Sequence, residues 1–417
     1  MINFNKNFFV YGLGISGLSV VKFFRNNSYN FKAIDDDPIK NKLLHKNEYC
    51  KNNNIIKELD NSSYIVVSPS INTTIHPILF KYKNKIIIDI DILGSLLSDK
   101  IKIIAITGTE GKSSVSNYLY NILKKKNKSI LLGNIGKTVL QKKDIKNSIN
   151  RYEYIIFELS SYQLDKVKHL KIDIGCITNL YPDHLKYHKS YNCYIKSKLL
   201  IKNILKKNGK ILINKKTYKE INDNKIILSD NFNVYKNNFS HNYNTNSILS
   251  ENLSTLFALM SSLGLKYNIS DISKIKTLPF RNQIIVNTKY LKIYNDSKST
   301  NLLNSVMTFN TIKSKNKILI LGGKLKDGFI NLPNISNSVI LIFGSDKNNF
   351  SNMLNCTKSK IIKFYNLDDL VLFLSLATKI DKNKKIILFS PGGESFDAYA
   401  NFMDRGRRFN SLVNKFF

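Results

Sequence analysis

The sequence predicts an α/β protein of three domains, each a largely parallel sheet whose ligand-binding turns lie at the carboxyl ends of its strands. Three observations carry this. Short apolar runs end repeatedly in glycine- or serine-bearing turns that open a helix. Two of those turns are glycine motifs suited to phosphate, and the pattern restarts twice along 417 residues, a length beyond one typical core. The expected boundaries are 1–98, 99–278 and 279–417.

The first segment opens FFVYGLGISGLSVVKFF, with a strand at Phe8 to Tyr11 and then Gly12, Gly14 and Gly17 as G-x-G-x-x-G before an amphipathic helix. Ala33-Ile34 runs into Asp35-Asp36-Asp37, where a dinucleotide-binding unit carries its ribose-binding acid. The unit is Rossmann-like. The fingerprint leaves open whether NAD or another nucleotide diphosphate is its ligand. YIVVSPSI adds a strand ending in a Ser-Pro turn, and KIIIDIDIL a strand entering a short helix.

The central segment is organised around KIIAITGTEGKSSV, Lys102 to Val115. A buried strand gives way to a turn holding Gly108 and Gly111, and Lys112-Ser113-Ser114 opens a helix. Backbone N–H groups and the helix N-terminus favour an anion, Lys112 can reach terminal phosphates, and the Ser113 hydroxyl can ligate magnesium. Ile106 stands where a longer loop has its first glycine, so this is a short T-G-T-x-G-K-S variant of a P-loop-type ATPase sheet. An ordinary strand-turn-helix corner is the plainer alternative.

Three more strand ends add polar groups: Asn134 and Gly136; Glu158, Ser160 and Ser161; then Asn179, Asp183 and His184. Parallel sheets bind at their carboxyl edge, so these should converge on Lys112. Glu158 and His184 then read as magnesium-shell groups, with a helix N-terminal acid and a cap or surface residue as alternatives. YNCYIKSKLLIKNILKK reads as one amphipathic helix, in which a solvated face is the plain expectation for Lys198. Short strands KILIN and KIILS and a helix from about Ser250 to a Gly264 cap follow.

The third segment repeats the α/β pattern. YLKIYNDSKSTN brings Asp296, Lys298 and Thr300 to a helix mouth, KILILGGKLKDG brings Lys324 and Lys326, and KKIILFSPGGESFDAY brings Ser395 to a helix start. A last helix, from Phe396 to about Lys415, carries Phe402 and Arg405, Arg407 and Arg408. Lys, Gly and Ser on successive turns predict an anion pocket.

Lys plus Arg total 64 against 30 acidic residues, a net charge of +34. The lysines are scattered rather than gathered into a stripe, so we read compositional bias, expect no nucleic-acid partner, and note that an anionic nucleotide substrate suits the charge. Cys50, Cys176, Cys193 and Cys356 show no C-x-x-C spacing and read as reduced thiols. No leader or membrane span is apparent, and a cytoplasmic protein is expected.

Together TGTEGKSS, ELSSYQL, TNLYPDHL, NDSKSTN, LGGKLKDG and SPGGESFDAY resemble the Mur ligase family, in order across all three segments. ELSSYQL and NDSKSTN point to its D-glutamate-adding branch. The resemblance implies an ATP-dependent ligase that adds D-glutamate to UDP-N-acetylmuramoyl-L-alanine through an acyl phosphate, in peptidoglycan precursor synthesis. It implies that Gly14, Ile15, Ser16, Asp35, Asp36 and Asn134 bind the UDP substrate. Gly108, Thr109, Glu110, Gly111, Lys112, Ser113, Ser114, Asn252, Arg281 and Asp296 would bind ATP. Lys112, Glu158, His184 and Lys198 would be the catalytic set, with Ser113 and Glu158 on one Mg2+ and His184 and a carbamylated Lys198 on a second. Lys298, Thr300, Lys326, Ser395 and Phe402 would place D-glutamate, and the enzyme would be a monomer. Another Mur-type amino-acid ligase and a non-catalytic nucleotide-binding relative are the alternatives. Four positions depart from the family pattern: Glu110 for Asn, Thr255 for the second Asn near ATP, Phe280 for His, and SPGGES with Glu394 for SPACAS.

Overall fold

β1 (Phe8–Tyr11), β2 (Phe31–Ile34), β3 (Tyr64–Val67) and β4 (Ile86–Ile87) form a parallel sheet in the order β2-β1-β3-β4. All four residues of β1 are buried, as a parallel strand covered on both faces requires. The glycine turn leads directly into the helix Ile15–Asn26, with Gly14 as its N-cap. The computed structural model of the protein describes every residue except 1, 127, 135–139, 141–144, 224–231, 236–246, 267–277, 326–331, 355 and 381–382.

β5 (Lys102–Thr107), β6 (Ser129–Gly133), β7 (Tyr154–Glu158), β8 (Ile172–Ile177), β9 (Leu205–Asn214) and β10 (Phe232–Tyr235) make a second parallel sheet, ordered β10-β9-β8-β5-β7-β6. From β5 the chain leaves toward β6 on one side, and after β7 it crosses to β8 on the other. This reversal at the carboxyl end of β5 opens the crevice where α/β sheets bind ligands. Both sheets belong to one compact unit, Met1–Tyr181, Tyr187–Asn238 and Asn252–Ser273. One core holds Phe8, Val10, Ile90 and Leu93 together with Ile103, Ala105, Phe157 and Ile177.

The second unit comprises Pro182–Lys186, Phe239–Glu251 and Lys274–Phe417. Its strands are β11 (Gln283–Asn287), β12 (Leu291–Asn295), β13 (Lys317–Gly322), β14 (Ile335–Ser336), β15 (Val339–Phe343), β16 (Cys356–Thr357), β17 (Lys360–Lys363) and β18 (Lys385–Gly392). The main sheet runs β11-β12-β18-β13-β15-β17, parallel except for the β11–β12 hairpin, while β14 and β16 pair alone. Alternation along β13 feeds two cores. Ile318 and Ile320 pack with Leu370, Phe409 and Val413 of the helices Leu367–Ile380 and Phe402–Phe416, while Leu319 and Leu321 pack with Val306 and Phe309 of the helix Leu302–Asn310.

Two element expectations need correction. The segment holding Lys198 is not one helix: an α-helix Tyr191–Leu199 passes into a 3-10 turn, Leu200–Ile204, and then β9, because Ile201, Ile204, Ile211 and Ile213 all enter the core. The last helix starts at Phe402 rather than Phe396, where the Asn401 side chain caps it by accepting from Met403 N (2.9 Å) and Asp404 N (3.0 Å). Ser395 therefore lies in a turn before the helix. The expected strand KIILS lies outside the described residues. All four cysteines are free thiols, and among the described residues no helix is long and apolar enough to cross a membrane.

Candidate active site

At the end of β5, Gly108 takes φ +134° and Gly111 φ +79°. A Cβ on Gly108 would lie 2.0 Å from Thr178 Oγ1, and one on Gly111 would lie 2.1 Å from Asn252 Oδ1. Both positions combine left-handed backbone with no space, so glycine is required twice over. The turn is clamped from β8: Thr109 N donates to Asn179 O (2.9 Å), Glu110 N to Asn179 Oδ1 (2.8 Å), and Thr178 Oγ1 to Glu110 O (2.6 Å). The backbone at Glu110, where the family has Asn, is thus held by its neighbours. Lys112 Nζ donates to Gly108 O (2.8 Å) and Thr109 O (2.6 Å), curled over the turn it would share with a phosphate. Ser113 and Ser114 are buried at the start of the helix Lys112–Lys126.

Glu158 ends β7 beside this turn and is 1% exposed. Its Oε1 accepts from Asn134 Nδ2 at 3.1 Å, while Oε2 is buried with no hydrogen-bond partner among the described residues. An orphaned carboxylate oxygen beside a phosphate loop fits a hard cation, since it supplies charge and a free lone pair. Among the described residues no three His, Cys, Asp or Glu groups gather as a metal cage; magnesium characteristically takes one or two carboxylates plus hydroxyl, phosphate and water oxygens. The structure therefore brings Lys112, Ser113, Glu158, Asn134 and Asn252 into one unit around the β5 turn.

Lys198 departs from the solvated-face expectation. It is 2% exposed, its Nζ donates to Thr107 Oγ1 at 3.0 Å, and it lies 5.4 Å from the Tyr194 ring centroid. Tyr194 also shares a 2.8 Å hydrogen bond with Thr109, tying the Lys198 helix to the phosphate turn. His184 belongs to the second unit, at φ +53°, with its Nε2 3.4 Å from Asp183 Oδ2.

In the first sheet, Gly12 has φ +92°, and a Cβ on Gly17 would sit 1.9 Å from Gly12 O. Asp35 supports this turn from below: it accepts from Leu13 N and from Asp37 N (2.9 Å) and pairs with Lys40 (3.4 Å). Burial pushes its carboxyl up, but the N–H groups of Asp37 and Leu13 and the Lys40 ammonium outweigh that and hold it below the usual range. Asp36 is exposed and accepts from Tyr11 OH at 2.6 Å. Ile15 is exposed at the helix start, while Ser16 hydrogen-bonds the buried Asp89.

In the second unit, Asp296, one residue after β12, accepts from Ser390 Oγ (3.0 Å) and from the N–H of Asn282 (3.1 Å), the residue that follows Arg281. Phe280 N donates to Gln283 Oε1 (3.0 Å), and the Phe280 ring fills the space at Gly406, where a Cβ would meet Cδ1 at 2.4 Å. Lys298 and Phe402 come together, the ammonium 4.4 Å from the ring centroid. Thr300 immediately precedes Asn301, which caps the helix Leu302–Asn310. Ser395 is buried, and Lys326 lies outside the described residues.

The expected anion pocket has mixed charge. Asp346 accepts from Leu325 N (2.9 Å), and Asp397, its carboxyl pushed up by burial, has a buried oxygen with no hydrogen bond among the described residues. Glu394 is pinned by reciprocal 2.8 Å backbone bonds with Lys324. Arg405 is fully buried, donating to Ser297 Oγ (3.2 Å), Ser297 O (2.9 Å) and Gly393 O (3.0 Å), with Asp397 and Asp296 among its charged neighbours. Burial lowers its pKa to about 10, still charged at neutral pH. The sequence held a signal for this: Arg405 shares its helix face with Phe409, Leu412 and Val413, so it had to enter the core.

The geometry has counterparts in known proteins. The sequence model of the Mur ligase middle domain matches residues 106–276, and that of the MurD-like N-terminal domain matches residues 6–89. The chain is 33% identical to the UDP-N-acetylmuramoylalanine--D-glutamate ligase of Buchnera aphidicola, over 99% of this chain and 98% of that protein. The chain belongs to the Mur ligase family. The ligase of the same name from Francisella philomiragia is 30% identical over 96% of this chain and 95% of its own length. Among solved structures, the Mur ligase fold recurs in MurF ligase from Thermotoga maritima in complex with ADP, with a TM-score of 0.56 at 16% identity, covering 87% of this chain and 92% of that one.

Proposed function

We propose that this Mur ligase joins D-glutamate to UDP-N-acetylmuramoyl-L-alanine at the expense of ATP, in cytoplasmic peptidoglycan precursor synthesis. The observation that carries the reading is end-to-end similarity to ligases of that name, together with a glycine turn that holds Lys112, Ser113 and the half-satisfied Glu158 around one strand end. Residues 1–98 would serve the UDP end through Gly14, Ile15, Ser16 and Asp36, with Asp35 shaping the turn; 99–278 would serve ATP; 279–417 would serve the amino acid.

The alanyl carboxylate attacks the γ-phosphorus of ATP, ADP leaves, and an acyl phosphate forms. The amine of D-glutamate then attacks the acyl carbon, and inorganic phosphate leaves as the amide forms. Lys112 would swing from the loop carbonyls to the phosphoryl oxygens, where its charge offsets what develops in the transition state. Asn134, bonded to Glu158, would orient the muramoyl end, and Asn252, Arg281 and Asp296 the nucleotide. Lys298, steadied against Phe402, would hold a substrate carboxylate with Thr300, Lys326 and Ser395.

Ser113 and Glu158 would hold one Mg2+, and His184 and Lys198 a second; bound there, the ions would neutralise phosphoryl charge. An ammonium cannot ligate a cation, so Lys198 would serve only as a carbamate, formed when its neutral amine adds to CO2 and a proton departs.

Phosphate release with ATP, magnesium and UDP-N-acetylmuramoyl-L-alanine, adding D-glutamate, L-glutamate, L-lysine or meso-diaminopimelate singly, tests the reading. Release with D-glutamate alone is expected. Release with another amino acid would move the specificity, with Glu394 as the first residue to exchange, and no release with any would leave a nucleotide-binding relative.

A further inference from the structure

Lys166 is 3% exposed, and all three ammonium protons are used: Nζ donates to Pro69 O (2.9 Å), Tyr162 O (3.1 Å) and Tyr187 OH (2.9 Å). The first acceptor lies in the turn after β3; the second belongs to the short helix Ser161–Leu164 that follows Glu158. Asn72 Nδ2 reinforces the same junction by donating to Tyr187 O at 3.4 Å. The Ser68 hydroxyl in turn donates to Gly12 O at 2.9 Å, joining the Ser-Pro turn to the glycine turn of β1. A continuous set of hydrogen bonds therefore runs from the glycine turn of the first sheet, through Ser68, Pro69 and Lys166, to the polypeptide immediately after Glu158.

An apolar side chain would fill this place at lower desolvation cost, because a buried ammonium gives up its hydration. The gain from lysine is geometric, since a single group fixes two backbone carbonyls and one phenol belonging to two sheets. We propose that Lys166 is a positioning residue that sets the span between the nucleotide-binding turns of the first sheet and the reaction centre at β5 and β7, and so selects a ligand long enough to occupy both. This rests on the function proposed above, whose substrate carries a nucleotide at one end and the reacting carboxylate at the other.

The test compares wild type, Lys166→Met and Tyr187→Phe as full-length proteins, measuring calorimetric affinity for UDP and for UDP-N-acetylmuramoyl-L-alanine, and the KM of each substrate. For Lys166→Met, affinity for the long ligand should fall about 10-fold and its KM rise in step, while UDP affinity and the KM for ATP change less than about 2-fold. Tyr187→Phe should show the same pattern at about 3-fold, and it decides the matter if Lys166→Met does not fold. Equal losses for UDP and the long ligand, or a matching rise in the KM for ATP, would make Lys166 a general structural prop and overturn the proposal. Unchanged long-ligand affinity in a folded variant, or a wild type that binds the long ligand no better than UDP, would overturn it as well. A wild type that binds the long ligand but releases no phosphate with any amino acid would refute the proposed function alone, because the affinity comparison still reads Lys166.

Discussion

Replacing Gly111 by alanine isolates the contribution of the phosphate turn. The residue sits at φ +79°, where an L-side chain costs about 1–2 kcal/mol. The new Cβ would also lie 2.1 Å from Oδ1 of Asn252, which is buried on the helix Ser247–Ser262 and cannot simply rotate into solvent. Forcing it aside is an overpacking change of about 1–3 kcal/mol. The sum, about 2–5 kcal/mol, should lower the thermal midpoint by several degrees, at roughly 2–4 °C per kcal/mol for a mid-sized domain, and raise the KM for ATP by at least about 10-fold. The double variant Gly111→Ala/Asn252→Ala separates the two causes, because it removes the clash and keeps the backbone strain. Recovery of about half the lost midpoint, beyond the effect of Asn252→Ala alone, is expected from a double-mutant cycle. A Gly111→Ala protein with wild-type midpoint and KM would refute the reasoning, and a cycle with no coupling would refute the clash.

Lys112→Ala should abolish phosphate release, by at least about 10³-fold, while calorimetric affinity for the UDP substrate stays within about 2-fold; retained turnover would remove Lys112 from the reaction. Lys298→Ala should raise the KM for D-glutamate with little change in the KM for ATP, as steady-state titration of each substrate would read. Asp89 is fully buried, and burial pushes its carboxyl up to about 6. Between about pH 4 and pH 6 the folded chain thus keeps a proton that the unfolded chain releases, so this group lowers stability as pH rises through that window, by about 3 kcal/mol at most, and changes nothing further above it. Asp89→Asn should therefore gain in thermal midpoint relative to wild type from pH 4 to pH 6.5, and a difference independent of pH would contradict the assignment.

Much of the site was legible because its chemistry is local. Gly108 and Gly111 announce left-handed backbone, Lys112 and Ser113 follow at fixed spacing, and Glu158 and Asn179 end apolar strands, so a strand-turn-helix reading already aims them at one edge. Asp35 was legible as to place: its position after β2 follows from the pattern, whereas its bonds to Leu13 and Asp37 are a matter of turn geometry that only the fold reveals. The helix after Ser395 was read six residues too early, because FDAYAN carries no strong breaker and only the Asn401 cap marks the true start.

What the sequence determined by itself is the parallel α/β framework, the order of its three segments and the glycine turns at the ends of β1 and β5, since each follows from side-chain periodicity and backbone freedom within a few residues. Only the tertiary structure decided that Lys198 and Lys166 are buried rather than solvated, that Arg405 links Ser297 to Gly393, that the first two sheets share one core, and that a carboxylate oxygen of Glu158 has no hydrogen-bond partner among the described residues. Burial and hydrogen bonding between residues far apart in the chain depend on how sheets pack, and a lysine has the same local sequence pattern whether its ammonium meets water or three carbonyl and phenol oxygens.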